Sequence, residues 1–267
     1  MRTDELERLR EGIIALARDA AAAILRVYGG EFTVERKHDN SPLTAADLAS
    51  HRCILEGLAQ VSPDIPVLSE ESAIEVPAQL RRQWPRMWLV DPLDGTREFV
   101  KRNGEFTVNI ALIEHGVAVL GVVQAPVTGT LWHGQRGRGA FKREGDVDVA
   151  IRSRVPAVSP LRVAASRSHP DPRSTAALQR MGDIEVMAVG SSLKFCRLAE
   201  GSMDVYPRFG PTSEWDTGAG QCVLEAAGGA VLDPRGRPLR YNQRDTILNG
   251  DFIALGDPSL AWREWLA

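Results

Sequence analysis

Cysteine is scarce in this 267-residue chain: Cys53, Cys196 and Cys222 are scattered, with no CxxC pair. An odd, sparse count argues against a disulfide framework and for reduced, buried thiols in a reducing compartment. Long apolar runs are missing, and none approaches the length needed to span a bilayer. The opening Met1-Arg2-Thr3-Asp4-Glu5-Leu6 is charged and lacks both an apolar core and a small-residue cleavage site, so no secretory signal is expected. Excess positive charge is absent too. A formal net charge of -3 gives no footprint for nucleic acid or a membrane surface, so a polyanionic ligand would need cations or a local basic patch. There is no internal repeat, heptad or low-complexity segment. Gly134, Gly137 and Gly139 have the wrong spacing for a dinucleotide loop and no βαβ unit follows, so turns between strands are expected there. The expectation from these absences is a cytoplasmic protein with no integral membrane segment and no nucleic-acid partner. Oligomeric state and peripheral association with the inner membrane stay open.

What is present suits a folded globular chain: 43% hydrophobic and 25% charged residues. Leu6, Leu9, Ile13, Ala17, Ala20, Ile24 and Val27 recur at helical steps and predict a first helix ending at Gly29-Gly30. Thr44 is expected to cap a second helix with Leu48, Ile54, Leu55 and Leu58 on its apolar side. Short strands are expected at Ile65–Leu68 and Trp88–Val90. A hairpin follows, 107–113 with 117–123, turning at Glu114-His115-Gly116. Arg152 to Pro160 turns polar and is the candidate boundary between subdomains 1–155 and 156–267. Beyond it strands and helices alternate, through a helix from Trp215 to Ala227 closed by Gly228-Gly229.

Acids gather at the ends of these elements. Asp91 and Asp94 follow an apolar strand, separated by Pro92-Leu93 and followed by Gly95-Thr96. Held close, two carboxylates repel, and shared protons or bound cations are the usual remedies. Pro92 has no N–H and stiffens the turn, leaving the Leu93 carbonyl to face a hard cation. Taken singly, each acid has an ordinary reading. Asp91 and Asp94 suit a solvated Asp-Gly corner, Asp47 and Asp216 suit helix N-terminal turns, and Glu70-Glu71 suits an exposed loop. Only together do they suggest a site at one edge of a layered structure.

In order along the chain, Glu70-Glu71, Asp91-Pro92-Leu93-Asp94-Gly95-Thr96 and Trp215-Asp216-Thr217-Gly218-Ala219-Gly220 resemble the motifs of the inositol monophosphatase superfamily, the lithium-sensitive, Mg2+-dependent phosphomonoesterases. The resemblance covers nearly the whole chain. It departs at Gly218, where relatives often carry Ala. The segment Arg97–Asn109, with Ser166–His169, Gly190–Cys196 and Tyr206–Thr212, is most similar to the CysQ branch, the 3'(2'),5'-bisphosphate nucleotidases. The implied fold is α+β, a layered α/β/α/β/α sandwich of the inositol monophosphatase and fructose-1,6-bisphosphatase type.

By that resemblance, Glu70, Asp91 and the Leu93 carbonyl hold one Mg2+, and Asp91, Asp94 and Asp216 a second. A third, weaker ion is common in the family. Glu70 and Thr96 are then expected to orient and deprotonate the attacking water, with Asp47 hydrogen-bonded to Thr96. Two ions about 3.5–4 Å apart suit in-line displacement at phosphorus, and the N–H groups of Gly95 and Thr96 suit phosphate oxygens. The expected substrate-binding residues are Asp94, Gly95, Thr96, His169, Ser191, Lys194, Arg208 and Asp216. Lys194 and Arg208 are the candidates to meet a second phosphate. Without the family context Lys194 reads as an exposed helical lysine and Arg208 as a surface loop arginine. The implied reaction is hydrolysis of 3'-phosphoadenosine 5'-phosphate to AMP and phosphate. The alternatives are an inositol or sugar phosphate phosphatase with the same core, and a catalytically weak nucleotide-binding regulator.

Overall fold

The computed structural model describes residues 2–36, 42–167 and 171–266. Helix α1 spans Arg2–Tyr28; strands β1 (Val34–Arg36) and β2 (Pro42–Thr44) form a small antiparallel pair; helix α2 spans Ala45–Val61. Then come β3 (Val67–Ser69), a 3-10 turn at Glu70–Glu75, the short α3 (Ala78–Arg81), β4 (Arg86–Asp94) and α4 (Thr96–Val100). Strands β5 (Thr107–Glu114), β6 (Val117–Gln124), β7 (Leu131–Gln135), β8 (Gly139–Glu144) and β9 (Val147–Ile151) follow as a meander. The remainder alternates: β10 (Leu161–Ser166), α5 (Pro172–Arg180), β11 (Ile184–Val189), α6 (Leu193–Ala199), β12 (Val205–Arg208), α7 (Glu214–Ala226), β13 (Ala230–Leu232) and β14 (Phe252–Leu255).

Strands β3 to β9 lie side by side in chain order in a seven-stranded sheet, with β3 parallel to β4 and the rest antiparallel. A second, five-stranded sheet runs β11-β10-β12-β14-β13. Helices α1 and α2 cover one face of the first sheet, α7 and α6 lie between the two sheets, and α5 lies beyond the second. The chain thus has the expected five layers, helix, sheet, helix, sheet, helix. One apolar core lies under α1 and α2, where Leu9, Ile13, Ala17, Ala20 and Ile24 meet Trp88, Val90, Ile110 and Val122. A second joins the two sheets across α6 and α7.

Two close approaches set this layering. At Gly121 of β6 a Cβ would lie 2.5 Å from the Ala219 carbonyl of α7, and at Gly134 of β7 one would lie 2.8 Å from Val223 Cα. Any side chain there would push α7, and Asp216 with it, off the sheet. Gly218 faces the same sheet, where a Cβ would touch Leu89 at 3.0 Å.

Several expectations need correction. In α2 the buried stripe is Ala46, Asp47, Ser50, Ile54 and Leu58, while Leu48 is exposed. The stripe holds small and polar residues because it faces a polar turn: Ser50 Oγ donates to the Pro92 carbonyl at 2.6 Å. Strand β4 also does not end before the acids. Its pairing with β5 continues from Asp91 opposite Asn109 to Asp94 opposite Thr107, with a register irregularity between. Pro92 falls within that irregularity, where a missing N–H breaks no regular ladder. The hairpin β8–β9 gave no signal, because its alternation carries exposed valines, Val147 and Val149, on a solvated edge. Gly137 and Gly139 do shape a turn, with φ of 80° and 103°, whereas Gly134 lies inside β7 rather than in a turn.

Candidate active site

One cavity of about 350 Å³ opens where the ends of β3, β4, β12, α6 and α7 meet, a size that suits a small-molecule ligand. Of the residues expected at the site, Glu70, Asp91, Leu93, Asp94, Gly95, Thr96, Ser191, Lys194, Arg208 and Asp216 all line it. Asp47 stands one layer behind. His169 lies outside the described residues.

The turn from Asp91 to Thr96 is held from below. Asp47 Oδ2 accepts the Thr44 N–H and hydroxyl, both at 2.7 Å, which closes the start of α2. Its other oxygen accepts the Thr96 hydroxyl at 3.2 Å. Asp47 therefore closes the start of α2 with one oxygen and meets Thr96 with the other. Thr96 Oγ1 also lies 3.3 Å from the Leu93 carbonyl, and its single proton serves one of the two acceptors. Gly95 carries the bend into α4 at φ 91°, where a Cβ would meet Glu105 O at 3.1 Å and Ser191 Cβ at 3.3 Å.

Three of the acids lining the cavity are turned onto neighbouring donors. Asp91 Oδ1 accepts the Leu93 N–H at 3.0 Å. Asp94 Oδ2 accepts the Ser192 N–H at 2.6 Å, the Ser192 hydroxyl at 2.7 Å and the Asn109 amide at 3.4 Å. Asp216 Oδ2 accepts the Ser213 N–H at 2.8 Å at the start of α7. In this arrangement no three acidic, histidine or cysteine side chains among the described residues are grouped to hold an ion by themselves. Charge is nonetheless concentrated. Burial raises the Asp94 carboxyl above its ordinary range, against the pull of Lys194. Burial, then the nearby Asp94 and Glu70, raise Asp216 well above its own. Such a set of hard oxygen donors, short of counter-charge, fits a divalent cation such as Mg2+ in chemical type.

The same cavity is also lined by two cations, Lys194 and Arg208. Lys194 is only 5% exposed, not a solvated helical lysine. Its ammonium donates to the Ser191 carbonyl at 2.7 Å and the Val189 carbonyl at 3.3 Å, and lies 5.0 Å over the Tyr206 ring. Burial lowers its pKa to about 8, with Asp94 opposing. Arg208 is 8% exposed rather than on a surface loop. Its guanidinium donates to the Pro211 carbonyl at 2.9 Å, while its buried Nε has no hydrogen-bond partner among the described residues. A buried donor left unmatched is costly.

No pattern in the sequence assigns a role to Asn109 and Ser192, which fix Asp94, or to Arg167 of the cavity lining and its partner Glu105. Asn109 offered a signal: an amide inside the apolar strand 107–113 needs a buried partner. Ser192 offered none, because only the fold brings it to Asp94.

A layered fold with an acid-lined cavity at its sheet ends defines a class, and the chain belongs to it: the model of the inositol monophosphatase family matches residues 5–261. Members of that family are Mg2+-dependent phosphatases. Within it, the chain is 53% identical over 245 residues to the 3'(2'),5'-bisphosphate nucleotidase CysQ of Salmonella typhimurium, covering 91% of this chain and 97% of that protein. The CysQ protein of Escherichia coli strain K12 is 51% identical over 243 residues, 90% of this chain and 96% of the other. The crystal structure of CysQ from Bacteroides thetaiotaomicron superposes with a TM-score of 0.78 at 40% identity, covering 92% of this chain and 96% of that one. No helix among the described residues is long and apolar enough to cross a membrane.

Proposed function

We propose that this chain is a Mg2+-dependent 3'(2'),5'-bisphosphate nucleotidase. It hydrolyses 3'-phosphoadenosine 5'-phosphate to AMP and phosphate, in the cytoplasm, with the nucleotide as its small-molecule partner. The observation that supports the reading is the mixed lining of one cavity, which holds the acids Glu70, Asp91, Asp94 and Asp216 together with the buried cations Lys194 and Arg208. A monophosphate needs only the acids and the ions they would bind. A second phosphate on the same molecule accounts for the cations.

Glu70, Asp91 and the Leu93 carbonyl would hold one Mg2+, and Asp91, Asp94 and Asp216 another. Bound there, the ions would neutralise the phosphoryl oxygens and the charge that develops on the leaving oxygen. The protein's own groups handle the water and its proton. Thr96 directs its hydroxyl proton to Asp47, which leaves its oxygen lone pairs to accept a hydrogen bond from the attacking water. The Glu70 carboxylate takes the proton as the water oxygen attacks phosphorus. The phosphorus–oxygen ester bond breaks, and the ribose oxygen leaves as the hydroxyl with a proton from solvent, to which Glu70 returns the one it took. Asp94 orients the turn through Ser192, and the N–H groups of Gly95 and Thr96 face the reacting phosphate. Lys194 and Arg208 take the second phosphate, and Ser191 and His169 are assigned to the nucleotide beside them.

The purified protein with Mg2+ should release phosphate from 3'-phosphoadenosine 5'-phosphate with a much higher kcat/KM than from inositol 1-phosphate or fructose 1,6-bisphosphate. The reverse ranking moves the chain to another branch of the family, and tight nucleotide binding without turnover makes it a regulator.

A further inference from the structure

The turn that seats Lys194 is built under constraint. Ser191 has a φ of 46°, a left-handed conformation that residues with side chains seldom take. Such a residue persists only where its surroundings over-determine it. Here two carboxylates grip the turn, one on each side of Ser191. Asp94 accepts the N–H and hydroxyl of Ser192. Glu105 Oε2 accepts the N–H of Gly190 at 2.8 Å. The same Glu105 carboxylate forms a two-pronged pair with Arg167, at 2.8 and 2.9 Å, and Arg167 in turn donates to the Ala188 carbonyl at 2.5 Å.

The fit around Glu105 is tight. A Cβ on Gly190 would lie 2.8 Å from the Glu105 carbonyl, and one on Gly95 would lie 3.1 Å from the same oxygen. The catalytic turn and the Ser191 turn thus abut the Glu105 backbone from two sides, while the Glu105 side chain reaches the second of them. The Val189 carbonyl, one of the two that seat the Lys194 ammonium, belongs to the same peptide unit as the Gly190 N–H that Glu105 holds, and the other, Ser191 O, lies two peptides further on.

We propose that Glu105 is a positioning residue for substrate selectivity: it locks the Gly190–Ser192 turn in its left-handed form, and so places Lys194 for the phosphate remote from the reacting one. Glu105 need not touch substrate. It acts through the turn, and Arg167 both neutralises its charge at the edge of an anion site and fixes its orientation. The inference rests on the nucleotidase reading and adds to it the group that keeps the second anion site in register with the first.

The test compares Glu105→Ala, Glu105→Gln and wild type with adenosine 3',5'-bisphosphate and with 3'-AMP, which has the same reacting ester and no second phosphate. In E105A, KM for the bisphosphate should rise about tenfold, the factor that matches loss of one charge-assisted hydrogen bond. The accompanying fall in kcat should be smaller, and KM for 3'-AMP should change much less. E105Q keeps an acceptor for the Gly190 N–H and should fall between. A far-ultraviolet spectrum and melting curve check that each variant is folded; if E105A is not, the E105Q comparison decides. An unchanged KM for the bisphosphate, or equal losses on both substrates, overturns the coupling. A wild type that prefers a different phosphate ester refutes the nucleotidase reading instead, and E105A then reports on the turn through KM against kcat on that ester.

Discussion

Replacing Asp94 by Asn separates the chemistry of the site from its architecture. Asp94 Oδ2 alone accepts the two short bonds from Ser192 and the longer one from Asn109. An amide oxygen in the same place can keep all three, and the amide nitrogen takes the position of Oδ1. The change lowers two strong acceptor contacts from charged to neutral. A hydrogen bond to a charged group contributes about 1.5–3 kcal/mol and a neutral one about 0.5–1.5. The loss is therefore about 2 kcal/mol before any compensation. Compensation exists, because burial already disfavours the ionised form of Asp94. A melting temperature lower by no more than about 8 °C is expected for a chain of this size. Turnover should respond on another scale. The variant presents an N–H where an oxygen donor to Mg2+ and a negative charge stood, and loss of one such electrostatic contribution costs about 100- to 1,000-fold in kcat. Phosphate release with saturating Mg2+ and a melting curve on the same preparation measure both quantities. Near-normal turnover in D94N would refute the assignment of Asp94 to a cation site. A collapse of the melting transition would show that Asp94 is needed for the fold instead.

Other consequences follow from the same geometry. Because the Asp94 and Asp216 carboxyls are raised, the folded protein without Mg2+ binds more protons than the unfolded chain above the ordinary carboxylate pKa, so their contribution to stability falls as pH rises through that region. Added Mg2+ should therefore raise the melting temperature, and by more at pH 8 than at pH 5; a shift independent of pH would contradict this. Lys194 has a pKa lowered to about 8, so wild-type kcat/KM for the bisphosphate should decline above that pH as the ammonium is lost. Lys194→Met should raise KM for the bisphosphate more than for 3'-AMP and remove that decline, whereas an equal effect on both substrates would take Lys194 out of the second anion site. Away from the cavity, His133 is 1% exposed, and burial lowers its pKa despite the hydrogen bond to Asp148 at 3.1 Å. Its neutral form thus contributes stability that is lost as pH falls below about 6.5. His133→Leu should move the acid-side onset of destabilisation down into the carboxylate range, as read by melting curves between pH 7 and 4.

Much of this protein was legible in one dimension. Periodicity located α1 and its buried face, the β5–β6 hairpin and the alternating order after residue 160, because amphipathic spacing reports local geometry directly. The turn from Asp91 to Thr96 was legible as chemistry, since two acids around Pro92-Leu93 have few other uses when Glu70 and Asp216 accompany them. Where the sequence reading failed, the missing term was tertiary. Leu48 looked like core and faces solvent, while Asp47 and Ser50 are buried, because the partner of α2 at that end is a polar turn rather than an apolar sheet. No pattern of neighbours could bury Lys194 and Arg208: their burial depends on β12, α6 and the Tyr206 ring closing around them. By itself the sequence determined which hard oxygen donors exist and which local elements carry them, since residue type and spacing are properties of the chain. Only the tertiary structure decided that Asp94 meets Ser192, that Glu105 meets Gly190, and that the acids and the two buried cations line one cavity. Those contacts join residues about 85 to 98 positions apart, and long-range packing alone selects such pairs.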